Sequence, residues 1–253
     1  MRTRHPYLDH PGPIPFAHRG GGLEVPENSM AAFAHAAGLG YRYIETDVQA
    51  TADGHLVVFH DPILDNLTDG QGRVGELPWS VVSRARVGGR EPIPLLDEVL
   101  ETWPDLRFNI DPKSDAAAAI LPDALRRHGA LDRVCVGSFS GARLGRLRRA
   151  MGRDLCSSAG PWDVARVWAA GHGLPMPGPS GPHCLQVPVR HKGLTVVTPG
   201  LLRAAHARDL PVHVWTIDEE REMERLLDMG VDGIITDRPT LLRDVMMRRG
   251  LWV

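Results

Sequence analysis

Four apolar runs end in residues that could do chemistry together: His18-Arg19-Gly20, Glu45-Thr46-Asp47, His60-Asp61 and Asp111-Pro112-Lys113. Glu45 and Asp47 are two positions apart. On a strand they face the same way, roughly 6–7 Å apart along the chain, and repel each other unless a cation sits between them. Asp111 offers a third oxygen ligand. An all-oxygen set without cysteine favours Mg²⁺ or Ca²⁺ over Zn²⁺, so one divalent cation is expected on Glu45, Asp47 and Asp111. Because imidazoles ordinarily titrate near neutrality, His18 and His60 could act as a couple, one taking a proton while the other gives one. Arg19 presents a planar fork suited to phosphate oxygens, and Lys113 a point charge. Together these groups would neutralise a phosphoryl group during in-line displacement. The bland alternative makes Glu-x-Asp a surface carboxylate and a helix cap, and the histidines packing residues. It weakens once all four run ends are taken together.

Such convergence needs elements whose ends share one rim. Strand candidates are Ile14–His18, Tyr41–Val48, Leu56–His60, Leu106–Ile110, Arg133–Phe139, Cys184–Val189, Val212–Ile217 and Gly233–Thr236, with Asp154–Ser158 a weaker ninth. Several are almost continuously apolar, as strands buried on both faces are. Helical patterns lie between them, at Asn28–Gly40, Asp115–His128, Gly141–Met151, Thr198–Arg208 and Asp218–Met229. About eight strand–helix alternations over ~250 residues predict a single (β/α)₈ barrel spanning residues 1–253, whose active site sits at the strand C-termini. The dinucleotide version of a doubly wound sheet is disfavoured, because no G-x-G-x-x-G follows the first strand. Asp61–Pro94, rich in Gly, Pro and Asp, reads as an insertion after the third strand. Gly171–Pro182 reads as a long Pro/Gly barrel loop.

With 29 Lys plus Arg against 31 Asp plus Glu, the net charge of the 253 residues is −2. That balance gives nucleic acid no support as a partner, and 43% hydrophobic residues supply a core and exclude disorder as the main state. No apolar stretch approaches the ~18 residues of a membrane span. Met1-Arg-Thr-Arg-His-Pro is followed by no apolar segment of a signal peptide, so the expected compartment is the cytoplasm. Cys135, Cys156 and Cys184 match no zinc or disulfide spacing and are read as buried thiols. The only lysines are Lys113 and Lys192. Arg143–Arg149 is read as a solvated helix face, with an anionic surface as the alternative. Asn28 or Ser29 would cap the helix that follows. Structural roles are favoured for His213 and Asp237.

Ala17-His18-Arg19-Gly20, Pro26-Glu27-Asn28-Ser29, Ile44-Glu45-Thr46-Asp47-Val48 and Val57-Val58-Phe59-His60-Asp61 together resemble the glycerophosphodiester phosphodiesterases. The resemblance continues through Thr68-Asp69-Gly70, Pro92-Ile93-Pro94-Leu95-Leu96-Asp97-Glu98-Val99, Val214-Trp215-Thr216-Ile217 and Gly233-Ile234-Ile235-Thr236-Asp237-Arg238-Pro239, covering roughly Pro15 to Asp244. It implies a barrel that binds one divalent cation and hydrolyses a glycerophosphodiester to glycerol 3-phosphate and an alcohol. It further implies that His18 and His60 are the acid/base pair, that Glu45 and Asp47 hold the metal, and that Arg19 contacts phosphate. By the same likeness Asn28 is drawn toward the active site, and Trp215 becomes an apolar wall for the glycerol or leaving group. The insertion becomes a lobe over the mouth. The family usually has Glu-x-Lys where this chain has Asp111-Pro112-Lys113, so Asp111 stands as a shorter ligand and Lys113 as a phosphate contact. The insertion and the Gly171–Pro182 loop are expected to set the leaving-group preference. Two alternatives remain at this point. One is lysophospholipase D-type or cyclic-phosphate-forming chemistry on the same barrel. The other is a non-catalytic phosphoester-binding barrel, against which both histidines argue. Oligomeric state is not legible.

Overall fold

A computed structural model describes residues 5–253, and of Arg153 the backbone alone; the basic start Met1–Arg4 lies outside the described residues. Eight parallel strands form the barrel: β1 (Ile14–His18), β2 (Tyr43–Ala50), β3 (Arg107–Pro112), β4 (Val134–Val136), β5 (Cys156–Ser157), β6 (Leu185–Pro188), β7 (Val212–Trp215) and β8 (Gly233–Thr236). They run side by side in the order β5-β4-β3-β2-β1-β8-β7-β6. A parallel bridge between Ser158 and Cys184 joins β5 to β6 and closes the ring.

The strand reading needs one correction. Leu56–Val58 is not a stave: it pairs antiparallel with β2, Val48 opposite Val58 and Ala50 opposite Leu56. β2 overshoots the rim, and the chain folds back on it as a hairpin arm. The fifth stave is instead Cys156–Ser157, within the weaker candidate Asp154–Ser158. Two-residue staves carry almost no periodicity, whereas Leu56–His60 is apolar because one side packs in the insertion. That insertion has its own small core of Val57, Phe59, Leu64, Val74, Val82, Val87 and Ile93. The Val58 N–H donates to the Pro94 carbonyl at 2.9 Å and ties its neck.

Alternation along each stave divides the core. Outward Ile44, Val48, Phe108, Ile110 and Val136 pack against the helices. Inward Ile14, Phe16, Tyr43, Cys135, Cys156, Cys184 and Ile235 fill the barrel, with Tyr7 and Leu8 plugging its N-terminal end. The three thiols are free and buried as small inward side chains, and burial pushes Cys135 and Cys156 well toward the neutral form. His213 is fully buried against Phe16, ring centroids 4.9 Å apart. Among the described residues no helix is long and apolar enough to cross a membrane.

Candidate active site

Register sets the site. His18 on β1 lies opposite Glu45 on β2, and Asp47 on β2 lies opposite Asp111 on β3. Because positions i and i+2 share a face, Glu45 and Asp47 stand in successive layers of the same wall, with Asn109 opposite Glu45. Pro112 closes β3 where the ladder ends, so its missing N–H costs no central pairing. All of these side chains except Pro112 line one cavity of about 660 Å³, together with Arg19, His60 and Lys113.

Each histidine is oriented by a carboxylate. His18 Nδ1 is 2.8 Å from Asp237 Oδ1, and His60 Nδ1 is 2.6 Å from Asp61 Oδ1. Asn66 donates to the other Asp61 oxygen at 3.0 Å. A ring held at Nδ1 leaves Nε2 for chemistry. His18 Nε2 lies 3.6 Å from Glu45 Oε2. Burial alone would lower the His18 pKa, but Glu45 and Asp237 outweigh it and raise it, favouring the imidazolium. Asp237 was assigned a structural role from sequence; instead it is the partner of His18. Its one signal was position, a carboxylate just past the end of β8. Asp218 in turn accepts the Asp237 N–H at 2.8 Å.

Around the carboxylates the cations are numerous. Lys113 Nζ sits 2.8 Å from Asp47 Oδ1 and 2.7 Å from Asp111 Oδ2. Arg19 Nε is 3.0 Å from Asp47 Oδ2, and its terminal nitrogen is 2.8 Å from Glu27 Oε1. Asp47 is almost fully buried. Burial pushes its pKa up, but Lys113 and then Arg19 bring it below the ordinary value. Glu45 lacks such partners. Burial, followed by the charge of Asp47, pushes it up to about 7. Burial also raises Asp111 despite Lys113, and Asp111 Oδ1 is buried with no hydrogen-bond partner.

The β1 turn locks this arrangement. Arg19 and Asn28 both adopt left-handed backbone, φ 52° and 53°, which Asn tolerates better than Arg. In exchange the Arg19 N–H donates to the Glu45 carbonyl at 2.8 Å and the Asn28 N–H to the Arg19 carbonyl at 2.9 Å. Ser29, not Asn28, caps the helix Met30–Gly38, accepting from the Ala32 N–H. Asn28, buried behind the cavity lining, holds Asp47 instead: its Nδ2 donates to Asp47 Oδ2 at 3.1 Å, and its Oδ1 accepts from the Thr46 hydroxyl at 2.7 Å.

The structure thus brings His18, Arg19, Asn28, Glu45, Asp47, His60, Asp111 and Lys113 together, but splits the expected acidic trio. Asp111 is drawn to Lys113. Among the described residues no three His, Cys, Asp or Glu side chains stand as a ready ligand set. The donor chemistry nonetheless fits a hard cation. Glu45 is a buried carboxylate whose pKa stays raised despite His18, Lys113 and Arg19, and Asp111, opposite Asp47, keeps an orphaned Oδ1.

The opposite wall is apolar. Phe139, Pro161, Val164, Trp168, Leu194 and Trp215 line it. Trp215 meets Phe139 edge to face at 5.5 Å, as a wall rather than a core residue. These walls come from the loop after β4, the helix Pro161–Gly171, the segment after β6 and the end of β7. His60, just before the insertion, reaches the cavity, but among the described residues neither Asp61–Pro94 nor Gly171–Pro182 lines it. Neither segment lines the far wall.

The family model "Glycerophosphoryl diester phosphodiesterase family" matches residues 18–241. The chain belongs to that family. It is therefore a hydrolase of the glycerophosphodiester class. It is 43% identical to a Mycobacterium tuberculosis protein named "Probable glycerophosphodiester phosphodiesterase 2", over 97% of this chain and 95% of the relative. It is 31% identical to a Caldanaerobacter subterraneus protein named glycerophosphodiester phosphodiesterase, over 92% of this chain and 98% of the relative. A solved Oleispira antarctica phosphodiesterase, in complex with sn-glycerol-3-phosphate, superposes with TM-score 0.77 at 21% identity, covering 93% and 97% of the two chains. At that identity it shows the shared barrel.

Proposed function

We propose that this family member hydrolyses glycerophosphodiesters to glycerol 3-phosphate and an alcohol by paired-histidine catalysis, with one divalent cation on Glu45 and Asp47 and with Asp111 as the further oxygen donor. The observation that carries the reading is the pair of carboxylate-oriented imidazoles facing one cavity, His18 on Asp237 and His60 on Asp61. His18, held toward the imidazolium, donates its proton to the departing alkoxide oxygen. His60 accepts the proton of the attacking hydroxyl or water. Lys113 and Arg19, now spread over Asp47, Asp111 and Glu27, neutralise developing charge on the phosphoryl oxygens. A bound Mg²⁺ or Ca²⁺ would act as a Lewis acid on the phosphoryl group. The relative with sn-glycerol-3-phosphate in its structure supports the product assignment.

The test is a product assay on glycerophosphocholine with and without EDTA. Glycerol 3-phosphate and choline in equal amounts, lost on chelation and restored by Mg²⁺ or Ca²⁺, are expected. A cyclic phosphate that accumulates in ³¹P NMR would overturn the hydrolytic reading. Undiminished turnover in EDTA would overturn the metal assignment.

A further inference from the structure

The apolar wall does not stop at the cavity. It continues onto the surface as a crest around the mouth: Trp162 is 82% exposed, Phe139 67% and Leu194 61%. Phe139 and Leu194 line the cavity itself. Trp162 sits at the start of the helix Pro161–Gly171, next to the lining residue Pro161. A hairpin, Arg190–His191 paired antiparallel with Leu194–Thr195, carries Leu194. It is fastened to that helix by Trp168 Nε1, which donates to the Thr195 carbonyl at 3.1 Å. Large apolar side chains this exposed, grouped on one rim, mark a surface that meets an apolar phase.

Charge says which phase. Residues 133–208 hold eleven Arg and Lys but only two Asp or Glu, Asp154 and Asp163, in a chain whose overall balance is −2. Between Asp163 and Asp209 there is no acidic residue at all. The hairpin itself carries Arg190, His191 and Lys192, all exposed, with Lys192 at its turn at φ 47°. Bases flanking exposed Trp, Phe and Leu are the composition of an interfacial anchor on anionic lipid. The hairpin's Leu194 and His191 line the cavity mouth, so attraction of its three bases to an anionic surface turns the mouth toward that surface.

We propose that the crest formed by Trp162, Phe139 and the hairpin 190–195 docks on an anionic phospholipid surface, opening the cavity directly onto the lipid. The inference deepens the proposed function, because it names the phase from which substrate arrives. Docking is nevertheless measurable without turnover, so failure of one reading is distinguishable from failure of the other.

The test is sedimentation with vesicles of phosphatidylcholine alone or with a third phosphatidylglycerol. The intact protein should pellet with the anionic vesicles, release at high salt and ignore the neutral ones. Trp162→Asp and Lys192→Glu should each weaken binding about tenfold or more, while turnover of soluble glycerophosphocholine stays at the parent level, since neither side chain lines the cavity. Equal binding to neutral vesicles, no binding, or undiminished binding by both variants would overturn the proposal. So would a concentration-dependent dimer that Trp162→Asp dissolves in the absence of vesicle binding, because the crest would then be an interface between copies of this chain.

Discussion

The two halves of the rim are built on different principles. From β8 through β1 and β2 to β3 the inward side chains at the top are charged or amide apart from Ile235, and the charged ones are paired: Asp237 to His18, Asn28 and Arg19 to Asp47, Lys113 to Asp47 and Asp111. From β4 to β7 the same level is walled by Phe139, Val164, Trp168, Leu194 and Trp215. Buried charges are tolerated only when paired, so the first arc is over-determined and geometrically narrow. Apolar walls impose shape but little orientation. The contrast sets a tightly paired charged face and a permissive apolar face on opposite sides of one cavity; on the proposed function, reaction chemistry would fall to the first and the leaving group to the second.

The contrast can be broken or sharpened by substitution. The largest effect is expected at the charged arc. His18→Ala or His60→Ala should lower kcat by about 10²-fold or more, with circular dichroism unchanged; parent-like kcat in either variant would remove that histidine from the reaction. Asp237→Asn keeps the shape but not the charge that holds His18 at Nδ1. A fall in kcat of about tenfold or more, with KM little changed, is expected in steady-state kinetics, and the acidic limb of the kcat profile should move. A purely structural Asp237 would change Tm and leave the profile alone.

On the apolar arc the sign of the kinetic split should reverse. Trp215→Ala should raise KM by several-fold, with kcat within about twofold, as uniform binding is lost. A kcat collapse there would abolish the division between the arcs.

The smallest effect lies at the other end of the barrel, where His10 stacks edge-on to Tyr43 at 5.7 Å. Burial, followed by the charges of Arg107 and Arg42, lowers its folded pKa against a raising bond to Gly12. A depressed folded pKa gives stability that is complete above the unfolded value, near 6.5, and is lost as pH falls through the folded one. His10→Gln should therefore flatten the decline of Tm between pH 7 and 5 by about 2 °C or less, with activity unchanged. A steeper decline would reverse the sign.

Much of the charged arc was legible beforehand because its residues follow long, apolar staves. Ile14–His18 and Tyr43–Ala50 announce their own ends, and Glu45 and Asp47 share a face by strand period alone. The fifth stave, Cys156–Ser157, is too short for periodicity. The hairpin arm Leu56–Val58 imitates a stave because the insertion buries it on its own small core. Asn28 stood between cap and site until the Ser29 hydroxyl proved to be the cap. Trp168 was invisible as a site residue, since nothing near it in the chain marks it, and Asp237 was marked only by its place just past the end of β8.

The sequence by itself determined the alternation that makes a barrel, the identity of the two imidazoles and the pair Glu45 and Asp47, because strand period and run ends are local properties. Only the tertiary structure decided that Asp237 meets His18 across 219 positions, that Lys113 takes Asp111, and that the far wall is apolar. Those outcomes depend on ring closure and register, which bring together residues whose separation along the chain carries no record of their meeting.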